Sequence, residues 1–254
     1  MSGTVEVMVG CEPVSHRAGA EVGVVVLHGF TGNPSSMRSV ADSMVAAGFD
    51  VELPRLPGHG TTIDDMLRTG WDDWMAETER VVGQIARRVG QVVLVGQSMG
   101  GTLALAAALA HPEVAALVCI NPATQARDET TMAMIDEFID DGLEVVPGEG
   151  SDIADPESFD VAYDGTPLRP IRSLVIDGIT PIAGRYSELT MPLRLFTSRQ
   201  DHVVEPADSE YLVATYGGPV EHSWLERSYH VATLDHDREF VVDETLAFIR
   251  TVAS

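Results

Sequence analysis

Three pieces of the chain follow one another without a break: the run Gln91 to Val95, the pentapeptide Gly96-Gln97-Ser98-Met99-Gly100 with Gly101 behind it, and the apolar stretch Met99 to Ala110. The first is rich in β-branched residues, as a strand buried on both faces should be. The last is apolar on every side, which predicts a deeply buried helix, ended by His111-Pro112. A serine on the sharp turn between such a strand and helix is exposed at the C-terminal end of the sheet, where open α/β sheets bind ligands. The flanking glycines let neighbouring backbone approach that turn. A bare G-x-S-x-G arises by chance in roughly one chain in ten of ordinary composition. The strand before it and the helix behind it remove most of that chance. Ser98 is therefore the candidate nucleophile.

The rest of the chain alternates in the same way. Val22 to Leu27 predicts a second buried strand. Asn33-Pro34 reads as a helix cap and first helical residue, with Met37, Val40, Ala41, Met44 and Val45 on one helical face and Gly48 as the stop. Phe49 to Leu53 predicts a short strand. Trp74, Thr78, Val81, Val82, Ile85 and Val89 mark a helix ended by Gly90, and Val114 to Ile120 another strand. From 123 to 191 the chain turns acidic, with scattered Pro and Gly, and only Ile135, Phe138 and Ile139 suggest a helix. Order resumes with a strand Leu193 to Thr197, a helix near Ala207 to Tyr216, a strand Val220 to Leu225 and a last helix carrying Val242, Leu246 and Ile249. Strands alternating with helices predict an α/β fold with a mostly parallel sheet covered on both faces. The irregular interval is too long for a simple connection. The expected division is a core of 1–122 and 192–254 with an inserted cap of 123–191.

Composition narrows the chemistry. All 16 basic residues among the 254 are arginine, against 39 Asp and Glu, for a net charge of −23. A chain without lysine forms no Schiff base, runs no Ser–Lys hydrolysis and lacks the lysine of a Walker-type phosphate loop. Acidity of this size repels nucleic acid and anionic membrane surfaces. The two cysteines, Cys11 and Cys119, are no disulfide framework, which favours a reducing, cytoplasmic setting. No apolar run is long enough to insert stably in a membrane. No metal-binding pattern stands out; Asp235 to Phe240 lacks the glycine of a calcium loop and instead opens the last helix.

A nucleophilic serine needs a base, and the base an orienting carboxylate. On an elbow of this kind the partners follow in the order Ser, Asp or Glu, His. Downstream of the irregular interval lie His202, His222 and His230. His222 falls inside a strand, and His202 directly follows the strand that must supply the acid. His230 lies in the loop between the last strand and the last helix, at the sheet end where Ser98 emerges, and is the candidate base. Asp201, just past Leu193 to Thr197, is the candidate acid, although an aspartate there is also an ordinary turn residue. The rival position after Ile120 carries Asn121-Pro122 and no carboxylate. An oxyanion needs backbone N–H donors. Met99, after the nucleophile, supplies one, and Phe30, in the loop His28-Gly29-Phe30-Thr31-Gly32 after an early strand, the second. His28 and His59 read as loop braces. Phe30, Leu174, Ile179 and Val203 are candidate pocket residues; the apolar cluster Leu174, Val175, Ile176 and Ile179 either lines an acyl channel or packs the cap onto the sheet.

These segments, together with Leu53 to Thr61, Trp71-Asp72-Asp73-Trp74 and Ser228-Tyr229-His230-Val231, resemble the α/β-hydrolase superfamily. More narrowly they are similar to microbial carboxylesterases of the monoacylglycerol-lipase type, from about residue 10 to the end and most weakly across the cap. The resemblance implies a sheet of about eight strands, a small helical cap, no cofactor, and hydrolysis of short- to medium-chain acyl esters or monoacylglycerols through an acyl-enzyme. The missing lysine is a departure from the family. Serine at position 98 disfavours the dehalogenase, epoxide-hydrolase and dienelactone-hydrolase chemistries of this fold. Amidase, C–C hydrolase and perhydrolase activities use the same triad and stay open, as does a non-catalytic small-molecule receptor. The expected partner is a small ester or lipid; monomer and homodimer are both open.

Overall fold

The computed structural model describes residues 5–148 and 151–253. Its strands are β1 (Val14–His16), β2 (Val22–Leu27), β3 (Asp50–Leu53), β4 (Gln91–Gln97), β5 (Val114–Ile120), β6 (Val145–Pro147), β7 (Gly165–Pro167), β8 (Leu193–Ser198) and β9 (Val220–Leu225). The helices are α1 (Arg38–Ala46), α2 (Ile63–Met66), α3 (Trp71–Ala86), α4 (Met99–Ala110), α5 (Glu129–Asp140), α6 (Leu168–Ser173), α7 (Thr180–Ile182), α8 (Pro206–Thr215) and α9 (Arg238–Val252).

Seven strands form one sheet in the order β1-β3-β2-β4-β5-β8-β9. Only β1 runs antiparallel, against β3; every other pair is parallel. The α/β expectation holds, with seven strands in the main sheet among the described residues where about eight were expected. Upstream of β1 the chain carries Gly10 in the left-handed region and Pro13, and Met8 N–H donates to the Gly60 carbonyl at 2.9 Å rather than to a strand.

Strand alternation explains why the central strands read as continuous apolar runs. Val25, Leu27 and Leu94 pack on one face against Trp74, Val81 and Ile85 of α3 and Leu103 of α4. Val24, Val26, Val93 and Val95 pack on the other against Val40 and Met44 of α1 and Val241 and Ile249 of α9. Successive side chains on a strand point to opposite faces, so a sheet covered on both sides needs apolar residues at every position. Each fully buried Val or Leu of this kind stabilises the fold by roughly 1.5–3 kcal/mol.

The chain leaves β2 towards β3 on one side and returns through α3 to β4 on the other. Strand order therefore reverses between β2 and β4, and the loops leaving their C-terminal ends diverge to leave a crevice. Register brings those ends level: Leu27 pairs with Gly96, Gln97 with Ile120, and Ile120 with Phe196.

The excursion between β5 and β8 is more regular than its sequence suggests. α5 includes the expected Ile135, Phe138 and Ile139. Val145 pairs with Pro167 and Pro147 with Gly165 in a small antiparallel ribbon that the apolar pattern does not reveal. Leu168–Ile182 is one continuous helical rod whose middle, Leu174–Ile179, is a π-helical turn. Pro170 and Pro181 read as breakers in the sequence. Pro170 sits in the first turn, where its missing N–H costs little. Before Pro181 the helix widens so that Thr180 N–H reaches the Val175 carbonyl, five residues back, a standard response to an interrupted ladder. Gly178 lies against the ring of Trp71 so closely that a Cβ would overlap it.

Candidate active site

Ser98 sits between β4 and α4 with φ 54° and ψ −123°. A residue with a Cβ is rare there, and holding one costs on the order of 1–3 kcal/mol. The surroundings enforce it. Ser98 N–H donates to the Ile120 carbonyl at 2.9 Å, and the Ser98 carbonyl accepts from Gly101 N–H at 2.9 Å and Thr102 N–H at 3.2 Å. A Cβ at Gly96 would collide with the Gly100 carbonyl, and one at Gly100 with the Leu27 carbonyl. The two glycines thus let the elbow press against its own first turn and against β2.

His230 and Asp201 meet from separate loops. His230 Nδ1–H donates to Asp201 Oδ2 at 2.8 Å. Asp201 Oδ1 accepts from Val203 N–H at 2.9 Å and Val204 N–H at 2.8 Å. The carboxylate is 1% exposed and the imidazole 8%. This fixes the ring and its tautomer, leaving Nε2 as the nitrogen that can take a proton. His230 and Ser98 line the same cavity of about 410 Å³.

His28 and His59 hold loops by hydrogen bonds to backbone. His28 Nδ1–H donates to the Gly29 carbonyl at 3.0 Å, and Nε2 accepts from Leu56 N–H at 3.1 Å. Burial, aided by neighbouring His59, holds its pKa well below the ordinary range. Burial lowers His59 to about 4; its Nδ1–H donates to the Pro57 carbonyl at 2.9 Å. Both are neutral near pH 7. His222 in β9 pairs with Thr197 Oγ1 at 2.8 Å.

Phe30 and Met99, the expected oxyanion donors, flank the elbow from the two loops at the strand-order reversal. Among the described residues neither backbone N–H has a hydrogen-bond partner, as donors reserved for a ligand would be. Gly29 lies so close to Ser98 that a Cβ there would stand 3.3 Å from the serine Cβ. The Phe30 ring meets Trp74 edge-on, with centroids 5.8 Å apart.

Phe30, Leu174, Ile179 and Val203 all line the cavity. Leu174 and Ile179 are also buried, so channel lining and packing are one role there, whereas Ile176 points outward at 38% exposure and Val203 is mostly exposed. Asp160 also lines the cavity. Its Oδ1 is buried without a partner, and burial pushes its pKa up to about 6, against the opposing influence of Val161 N–H and His230.

Three site residues escape the sequence reading. Asn121, with φ 46°, donates from Nδ2 to the His230 carbonyl at 2.8 Å and to Ser198 Oγ at 3.0 Å, and accepts Ser198 N–H on Oδ1 at 2.7 Å. Its one signal is a non-glycine turn residue directly after a buried strand. Asp152 and Asp160 lie in the irregular excursion, where acidic residues are too common to single out.

Comparison with known proteins gives a consistent picture. The model of the alpha/beta hydrolase family matches residues 24–244. A thermostable monoacylglycerol lipase of Bacillus sp. strain H-257 is 35% identical over 253 residues, 98% of each chain. A carboxylesterase of Bacillus subtilis strain 168 is 23% identical over 91% of this chain and 93% of its own. A solved structure from work on LipS and LipT, two metagenome-derived lipolytic enzymes, superposes with a TM-score of 0.89 at 37% identity, covering 97% of this chain and all (100%) of that one.

Proposed function

This chain belongs to the alpha/beta hydrolase family and is a carboxylesterase-like hydrolase, and from that premise we propose that Ser98, Asp201 and His230 are its catalytic triad, with Phe30 and Met99 as oxyanion donors. The observation that carries the assignment is the strained Ser98 opening into the cavity that His230 lines, with His230 held by Asp201 at 2.8 Å.

The reaction runs in two steps. Ser98 Oγ attacks the ester carbonyl as His230 Nε2 takes its proton, and Asp201 stabilises the imidazolium. The developing oxyanion is met by the N–H groups of Phe30 and Met99. The C–O bond to the alcohol breaks, and His230 passes its proton to the leaving oxygen. Water then enters, His230 takes a proton from it, and attack on the acyl carbon releases the carboxylic acid and returns the proton to Ser98.

The substrate class is a short- to medium-chain acyl ester, including monoacylglycerols. The largely apolar wall of Phe30, Leu174, Val175 and Ile179 suits an acyl chain, and the full-length likeness to a monoacylglycerol lipase supports the same class. In this reading 123–191 is a cap over the core of 1–122 and 192–254, and the protein works in the cytoplasm on a small ester without nucleic acid or cofactor. Among the described residues no helix is long and apolar enough to cross a membrane.

A nitrophenyl-ester series from two to twelve carbons, with fluorophosphonate labelling, tests the assignment. Stoichiometric labelling at Ser98, hydrolysis lost in Ser98→Ala and a rate maximum at or below about ten carbons are expected. Undiminished hydrolysis by Ser98→Ala overturns it.

A further inference from the structure

Asp152 comes from the excursion, between β6 and β7, yet its bonds go to the two loops that carry the base and the acid. Its Oδ2 accepts from His230 N–H at 3.0 Å and from His202 N–H at 3.1 Å. Its Oδ1 pairs with His202 Nδ1 at 2.7 Å. Its carbonyl accepts from Val231 N–H at 3.1 Å. His202 is the neighbour of Asp201, and its ring meets Tyr229, the neighbour of His230, edge-on with centroids 4.5 Å apart. The carboxylate is 15% exposed while the His202 side chain is 58% exposed, so the bond to His230 N–H is the sheltered one, and it costs more to leave unmade than the surface bonds to His202.

We propose that Asp152 is a positioning residue, one that clamps the Asp201 loop to the His230 loop and so makes alignment of the base depend on the docked excursion. The inference rests on the triad assignment above. A carboxylate suits the place because one side chain must accept from two backbone N–H groups and one ring nitrogen. Its grip on His230 is on the backbone, leaving the imidazole free to exchange protons while the main chain behind it is fixed. The neighbouring contacts share the load without duplicating the clamp. Asp235 takes Ala154 N–H and Asp155 N–H together with Tyr229 N–H, at 2.8, 3.0 and 2.8 Å. It ties the excursion to the His230 loop alone, whereas Asp152 also reaches the acid loop.

The test compares Asp152→Ala, Asp152→Asn and His202→Ala with wild type and Ser98→Ala, on nitrophenyl butyrate. Misplacement of a catalytic group by a fraction of an ångström to an ångström costs up to about a hundredfold. Asp152→Ala is expected to lower kcat by about ten- to a hundredfold with KM nearly unchanged, to slow fluorophosphonate labelling of Ser98 in proportion, and to shift or broaden the low-field proton resonance of His230 Nδ1–H. Asp152→Asn, which still offers an acceptor to His230 N–H, is expected to recover much of kcat. His202→Ala is expected to give a smaller loss in the same direction, and it preserves a readout should Asp152→Ala not fold. A rise in KM alone, with kcat and the proton resonance unmoved, makes Asp152 a substrate contact and overturns the proposal. Unchanged kinetics in Asp152→Ala, or in His202→Ala where Asp152→Ala does not fold, also overturn it while Ser98→Ala is inactive. Persisting activity in Ser98→Ala instead fails the triad assignment itself.

Discussion

The side-chain amide of Asn121, at the end of β5, donates to the backbone carbonyl of His230 at 2.8 Å across 109 positions of sequence. The same side chain exchanges two bonds with Ser198 at the end of β8, and Ser198 Oγ donates in turn to the Tyr229 carbonyl at 2.8 Å. Two strand ends and the histidine loop thus converge on one buried amide.

Asn121→Ala removes three bonds and leaves buried partners unmet. A loss of about 2–4 kcal/mol of stability is expected, measured by urea unfolding, with a fall in kcat. Asn121→Asp is expected to fail as well, because a carboxylate offers no donor to the His230 carbonyl. Full stability in either variant contradicts the structure.

Asp201→Asn keeps the shape of the acid but presents an amide that is able to turn a donor towards His230 Nδ1. The ring then loses its enforced tautomer, and kcat is expected to fall by about 10³- to 10⁴-fold with little change in melting temperature. A loss below tenfold would point to another carboxylate.

Asp160 and His59 give stability opposite slopes against pH. Asp160 is raised from 3.8 to about 6 by burial, so the stability it supports is complete below its ordinary pKa and is lost as pH rises through 6. His59 is lowered from 6.5 to about 4, so its share is complete above 6.5 and is lost as pH falls towards 4. Asp160→Asn is expected to exceed wild type in stability by about 1–3 kcal/mol at pH 8, with the gap closing towards pH 4. Denaturant titrations across that range check it, and a pH-independent gap counts against an ionising Asp160.

Gly100→Ala places a methyl group on the Leu27 carbonyl. Backbone cannot step aside as a side-chain tip can, so a loss above about 3 kcal/mol is expected. Gly184, where a Cβ meets nothing within 4 Å, is the control; its alanine variant is expected to stay within about 1 kcal/mol of wild type. Melting temperatures separate the two.

What the sequence disclosed was local. The elbow is legible because strand, glycines, serine and helix are contiguous, and His230 because the last loop must open at the same sheet end. Asp201 needed only its strand. Asn121 and Asp152 were illegible for the opposite reason: their partners lie across the fold, as with the 78 positions between Asp152 and His230; Asp160 was illegible because only its burial sets it apart from the other acidic residues of the excursion. The β6–β7 ribbon was hidden by its brevity. The rod Leu168–Ile182 was hidden by two prolines that a first turn and a widened turn absorb.

The reversal of strand order between β2 and β4 makes the crevice a product of topology, with Ser98 and His230 brought to it by loops of the main sheet and part of its wall, Leu174, Val175 and Ile179, by the excursion between β5 and β8. A change of sequence in the excursion can therefore alter what the crevice admits while the elbow stays as it is. Any such change must still keep an acceptor in the place of Asp152 and N–H donors to Asp235, or the altered wall loses its ties to the loop of His230.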